Sequence, residues 1–287
     1  MPGDSGTPEV VFIMGAARSG STLLGVLIGQ SDEVFYAGEL CDWAERDGFS
    51  TIDHSREFWK RIRDRVGPPT IEAHDYKRIF EHPAGIGRVS AQRNARVDYE
   101  RMTLQVLCAV AGESGCPVVV DSSHYPRRAR ALRRLLGERK VRLVYLVRRP
   151  SSVARSFRAS GYKEALSFNL YLMVVSLLSW AAYLTHPRSH RVIVSYESLT
   201  VDPLEIGAVA LGHPLDGVDP RDLWVPPILT GNRFVRSGSH VAIEPADSAA
   251  ELTFRERLTD LIQIPTWIAV RSAGRGVPIA VRSATSS

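Results

Sequence analysis

The feature that most constrains this chain is a strand, loop and helix arrangement near its start. Val10-Val11-Phe12-Ile13-Met14 is an unbroken apolar run, suited to a strand covered on both faces of a parallel sheet. Gly15-Ala16-Ala17-Arg18-Ser19-Gly20-Ser21-Thr22 follows, with glycines spaced as in a P-loop, and Thr22 to Ile28 then reads as a helix. Backbone N–H groups of such a loop and the helix N-terminus converge on a phosphate. The usual P-loop lysine is absent. Ser21 stands in its place, so Arg18 must supply the side-chain cation. Because that lysine reaches the β- and γ-phosphates of a nucleoside triphosphate, its loss weakens the case for a kinase. Asp121 ends a strand and is the one aspartate to offer as a magnesium holder.

Further apolar runs at Pro117 to Asp121, Val141 to Val147 and Arg191 to Tyr196 predict three more strands. Helical stretches separate them: Arg101 to Ala111, Arg127 to Leu136, Ser151 to Arg158 and Ala165 to Pro187. This alternation predicts an α/β three-layer sandwich with a mostly parallel central sheet. The expected organisation is a single domain over residues 10–270, with a disordered tail at 1–9 and a second tail at 271–287. Within it, 43–100 is charged and aromatic and reads as a largely helical insertion, either a lid or acceptor wall or structural packing.

Of 287 residues, 44% are apolar and 23% charged, which excludes a disordered or fibrous chain. Cys41, Cys108 and Cys116 have neither CxxC spacing nor a histidine cluster beside them, so no disulfide framework or zinc site is expected. The N-terminal stretch does not read as a signal peptide. A cytoplasmic protein is expected. Ala165 to Pro187 has the length of a membrane span and no charge, yet it lies between segments of one phosphate site, which predicts a buried helix instead. The net charge of +5 favours anionic ligands. Much of it sits at Arg127 to Arg142, where the arginines spread around a helix as on a solvated face, not along a nucleic-acid footprint.

The core Arg18-Ser19-Gly20-Ser21-Thr22 resembles the 5′-phosphosulfate loop of sulfotransferases that use 3′-phosphoadenosine-5′-phosphosulfate (PAPS), and three further motifs of that family follow in order. Arg148 and, eight residues later, Ser156 resemble its 3′-phosphate motif; a strand-edge guanidinium and a hydroxyl on the next helix can meet one phosphate. Val194-Ser195-Tyr196-Glu197 is similar to the strand that ends in Tyr-Glu, which implies Tyr196 near the adenine. Gly231 to Gly238 looks like the late loop that returns an arginine and a glycine to the 3′-phosphate, here Arg236 and Gly238, with Ser237 where many relatives have lysine.

The resemblance implies in-line sulfuryl transfer from PAPS, without a metal, to a hydroxyl or less readily an amine of a small-molecule, lipid or glycan acceptor. The product would be 3′,5′-adenosine bisphosphate. Gly15, Ala17, Arg18, Ser19, Gly20, Ser21 and Thr22 would hold the 5′ end, and Arg18 would also assist the chemistry. Two residues are candidates for the base: Glu39, similar to the glutamate of carbohydrate-type sulfotransferases, and His124, similar to the histidine of the Lys-x-His-x-Pro segment of cytosolic ones. Helix capping by Glu39 and backbone bonding by His124 are the plain alternatives. A small-molecule kinase using ATP and magnesium is the competing enzyme, and a basic binding module the competing non-enzyme.

Overall fold

The computed structural model describes residues 6–69, 93–161, 166–232, 235, 238–244 and 252–274. Arg236, part of the 43–100 insertion and most of both expected tails lie outside them. The chain runs β1 (Glu9–Gly15), α1 (Ser21–Ile28), β2 (Val34–Gly38), α2 (Arg56–Val66), α3 (Arg93–Ser114) and β3 (Val118–His124). Next come α4 (Pro126–Leu136), β4 (Val141–Val147), α5 (Pro150–Ala159), α6 (Leu166–Leu184) and β5 (Arg191–Ser195). The remainder is α7 (Tyr196–Leu199), α8 (Pro203–Leu211), the two-residue strands β6 (Leu223–Trp224) and β7 (His240–Val241), and α9 (Phe254–Gly274).

The central sheet has the order β2-β3-β1-β4-β5, every neighbouring pair parallel. Alternation along the strands builds two cores. Val10, Phe12 and Met14 join Trp43, Trp59, Leu107, Leu132 and Tyr145 on one face. Val11 and Ile13 join Leu24, Leu27, Tyr36, Val144 and Leu211 on the other. Helices thus cover both faces, as the continuous apolar strands require.

Several expectations change. Strand β1 begins at Glu9, inside the stretch expected as tail, and Lys140 holds Thr7 through its carbonyl and hydroxyl. Of the two readings of the insertion's aromatics, Trp43, Phe58 and Trp59 follow packing as core residues, while Phe49 is exposed. Helix α6 is buried on one side only: Leu172, Val175 and Ala182 face inward, while Leu170, Met173 and Leu177 are exposed. Among the described residues no helix is long and apolar enough to cross a membrane. On α4, Arg128 is buried, not solvated, and Arg133 and Arg134 pair with Glu138 and Glu100.

Candidate active site

The phosphate loop spans β1 to α1. Arg18 (φ 69°) and Gly20 (φ 101°) both take left-handed backbone, and Gly20 caps α1 without a side-chain hydrogen bond. Any Cβ at Gly20 would strike the Tyr196 ring, so the position needs glycine on both counts. The first amides of α1 therefore stay open to an anion. Arg18 Nη1 donates to Asn232 Oδ1 at 2.6 Å, and the Asn232 amide donates to Thr22 Oγ1 at 3.4 Å. Ser19 turns inward, and its buried Oγ has no hydrogen-bond partner among the described residues.

A cavity of about 440 Å³ lies over this loop, lined by Ala17, Arg18, Gly20, Ser21, Thr22, Glu39, His124, Ser160, Gly231 and Asn232. Arg18, Glu39 and His124 come from the carboxyl ends of β1, β2 and β3, where parallel α/β sheets bind ligands. Glu39 follows Gly38, whose φ of 82° turns the chain out of β2, and its amide donates to Thr230 O at 3.2 Å. Its charge is felt at Tyr171 of α6, whose hydroxyl pKa is raised by burial first and by Glu39 second. The strand that ends in His124 runs three residues past Asp121. Phe12 pairs with Asp121 and Met14 with His124, so β3 carries an extra residue there, and such a bulge re-aims side chains.

Glu39, Cys41 and Asp42 bring two carboxylates and a thiol within 4.8 Å of one another. Cys41 Sγ donates to Asp42 Oδ1 at 3.5 Å, and Asp42 pairs with Arg46 at 3.4 Å, so this group is already internally engaged.

Arg148 leaves β4 beside the loop. Its Nη1 donates to the Arg18 carbonyl at 3.0 Å, and its guanidinium carbon lies 3.9 Å from the centre of the Tyr196 ring. Its Nε is buried with no hydrogen-bond partner among the described residues, and burial lowers its pKa against the opposing charges of Tyr196 and Glu197. A desolvated cation with an unspent donor is a group that an incoming phosphate would engage. The Tyr-Glu pair thus supports Arg148: Tyr196 stacks beneath it, while Glu197 accepts the Arg149 amide at 2.7 Å. Ser156 is half-buried on α5 and is not among the cavity-lining residues. Ser160, one turn on, does line the cavity, and its Oγ donates to the Ser156 carbonyl at 3.0 Å. Gly238 is exposed and away from the lining. The sequence reading missed Ser160, Asn232 and Tyr171. The first two were in view, at helical spacing from Ser156 and inside the late loop.

A family model described as "Sulfotransferase family" matches residues 8–206. Among solved structures, the sulfotransferase domain from the curacin biosynthetic pathway superposes with a TM-score of 0.52 at 18% identity, over 96% of this chain and 94% of that one. A sulfotransferase from Alicyclobacillus acidocaldarius gives 0.48 at 16%, over 93% and 96%. The sulfotransferase domain of the Synechococcus PCC 7002 olefin synthase gives 0.48 at 19%, over 91% and 96%. No protein of curated function matches. At 18% identity the likeness to the curacin-pathway domain speaks for the fold, and the family match covers more than half of the sequence: the chain belongs to the sulfotransferase family.

Proposed function

We propose that this transferase moves the sulfuryl group of PAPS to an acceptor hydroxyl as a single-domain cytoplasmic enzyme whose domain runs from β1 to α9. The observation that carries the reading is the meeting of Arg18, the loop residues, Glu39 and His124 around one cavity, with the desolvated Arg148 outside its lining and bonded to the Arg18 carbonyl. In this reading Arg18 and the loop amides bind the 5′-phosphosulfate. Arg148 and the α5 serines Ser156 and Ser160 take the 3′-phosphate, joined by Arg236 and Gly238 of the late loop.

The acceptor oxygen attacks sulfur in line as the bond from sulfur to the 5′-phosphate oxygen breaks, and the hydroxyl proton passes to Glu39 or His124. Arg18 and the α1 N-terminus stabilise the charge that builds on the departing bisphosphate. Small-molecule, lipid and glycan alcohols all fit this chemistry.

The kinase alternative finds less support. Asp121, the aspartate to consider for magnesium, is fully buried and bound by Arg128 at 2.7 Å. No lysine stands in the loop. Calorimetry tests the choice: 3′,5′-adenosine bisphosphate should bind without magnesium, ATP with magnesium should not, and Arg148→Ala should weaken the bisphosphate. Magnesium-dependent ATP binding instead would refute the proposal. For the base, whichever of Glu39→Gln and His124→Ala abolishes turnover while retaining bisphosphate binding identifies it; full activity in both would exclude the pair.

A further inference from the structure

Asp121 does not reach the cavity, yet three donors converge on it. Its Oδ1 accepts the Ser123 amide at 3.0 Å and the Ser123 hydroxyl, and its Oδ2 accepts Arg128 Nε at 2.7 Å. Arg128 is buried in turn, with Nη1 donating to the Tyr99 hydroxyl at 3.2 Å. A buried ion pair is a poor way to gain stability, and its best-attested use is to fix a local arrangement. The arrangement here is the β3 bulge. Ser122 Oγ lies 2.9 Å from the Tyr36 hydroxyl, and Ser123 Oγ accepts the Cys41 amide at 2.9 Å. Cys41 is two residues past Glu39. His124 directly follows Ser123 and holds a left-handed φ of 49°, with the Tyr125 amide closing onto the Ser123 carbonyl at 2.6 Å.

From this geometry we propose that Asp121, acting through Ser123, is the positioning residue that sets both candidate bases, Glu39 and His124, against the cavity. The inference rests on the sulfotransferase reading. The Ser123 hydroxyl has one proton. Spending it on Asp121 leaves a lone pair aimed at the Cys41 N–H, so the charge of Asp121 orients the hydroxyl that anchors the Glu39 loop. The same carboxylate holds the Ser123 amide and so shapes the turn that presents His124.

Ser123→Ala cuts this link and leaves the Asp121–Arg128 pair intact, so it is the primary variant; Asp121→Asn is the second. The assay is release of labelled sulfate from PAPS with water as acceptor, together with calorimetric affinity for 3′,5′-adenosine bisphosphate and hydrogen exchange of amides 39–43. In Ser123→Ala, kcat is expected to fall about tenfold, the value of one hydrogen bond, while KM for PAPS and bisphosphate affinity stay within about twofold. Exchange at 39–43 should rise, with the rest of the sheet unchanged. Unchanged kcat and exchange would overturn the proposal, and so would equal losses in kcat and bisphosphate affinity, which mark a merely structural role. If the wild type bound no bisphosphate, the PAPS-dependent reading would fall instead; exchange at 39–43 would still judge the link from Asp121 to the Glu39 loop.

Discussion

Asp260 gives the sharpest test of how the Arg148 turn is held. Helix α5 opens with Pro150, which has no N–H, so Ser151 carries the first amide that needs a partner, and Arg149 provides no side-chain cap. Asp260 of α9 supplies the cap from across the fold. Its Oδ1 accepts the Ser151 amide at 2.8 Å, and its Oδ2 lies 2.8 Å from Arg149 Nη2. Loss of a cap costs about 1 kcal/mol. The ion pair adds less, about 0.5 kcal/mol, because Arg149 keeps 47% of its side chain in solvent. Asp260→Ala should therefore lose about 1.5 kcal/mol, or roughly 3–6 °C in Tm for a chain of this size. Asp260→Asn retains a capping oxygen and should lose only about 0.5 kcal/mol. Differential scanning calorimetry of both variants, with bisphosphate titration of each, measures this. Only the alanine variant should weaken bisphosphate binding noticeably, since only it frees the turn that carries Arg148. Equal losses in the two variants, or destabilisation by alanine without any loss of affinity, would refute the idea that α9 holds the phosphate-binding turn by capping.

Gly20→Ala should abolish measurable bisphosphate binding in calorimetry, because φ of 101° costs an L-residue about 1–2 kcal/mol and its Cβ would displace Tyr196 from beneath Arg148. Asn232→Ala removes the acceptor that aims Arg18 and should lower kcat about tenfold with little change in KM, read in the labelled-sulfate assay. His186 is buried and donates Nε2–H to the Val141 carbonyl at 2.8 Å; burial lowers its pKa below the ordinary 6.5, with the hydrogen bond opposing. The unfolded chain then takes the proton first, so the contribution of neutral His186 is complete above pH 6.5 and is lost as pH falls through the lower folded value. Urea midpoints should drop from about pH 7 to pH 5, and His186→Gln should flatten that slope.

Strands β1, β3, β4 and β5 are legible in the sequence because each is a continuous apolar run, the pattern a parallel sheet demands. Strand β2 is not. Val34 to Gly38 is five residues long and lies between Asp32-Glu33 and Glu39, so nothing in its length or flanks separates it from a loop; its burial comes from tertiary cover. Arg128 is equally hidden. Its neighbours on α4 are cations too, and only the position of Asp121 across the turn distinguishes the one that is buried. Motif order pointed to the loop, Arg148, Glu39 and His124. It did not reveal that Tyr196 serves as a platform for Arg148, since that contact joins a strand end to a loop 48 residues away. Ser156 lies one helical turn before Ser160, the residue that meets the cavity.

The family match stops at residue 206, by which point all five sheet strands are complete, yet the geometry of the site depends on residues nearer the C-terminus. The segment from Pro227 to Asn232 runs along the exposed edge of β2. Leu229 donates to the Ala37 carbonyl at 2.9 Å, and the Glu39 amide donates to Thr230 at 3.2 Å. Trp59 Nε1 and Ser50 Oγ fix the same segment through the carbonyls of Pro227 and Ile228. An open sheet edge needs such cover. Here the cover also delivers Asn232 to Arg18 and closes one wall of the cavity. Helix α9 does the corresponding task on the other flank: Asp260 caps α5, and Glu256 binds Arg155 and Arg158 at 3.3 and 2.6 Å. The segment that carries Asn232 and the helix that caps α5 thus lie beyond residue 206 and brace loops from the first part of the chain. A substitution beyond residue 206 can therefore shift the site without touching the phosphate loop, Arg148 or the Tyr-Glu strand end.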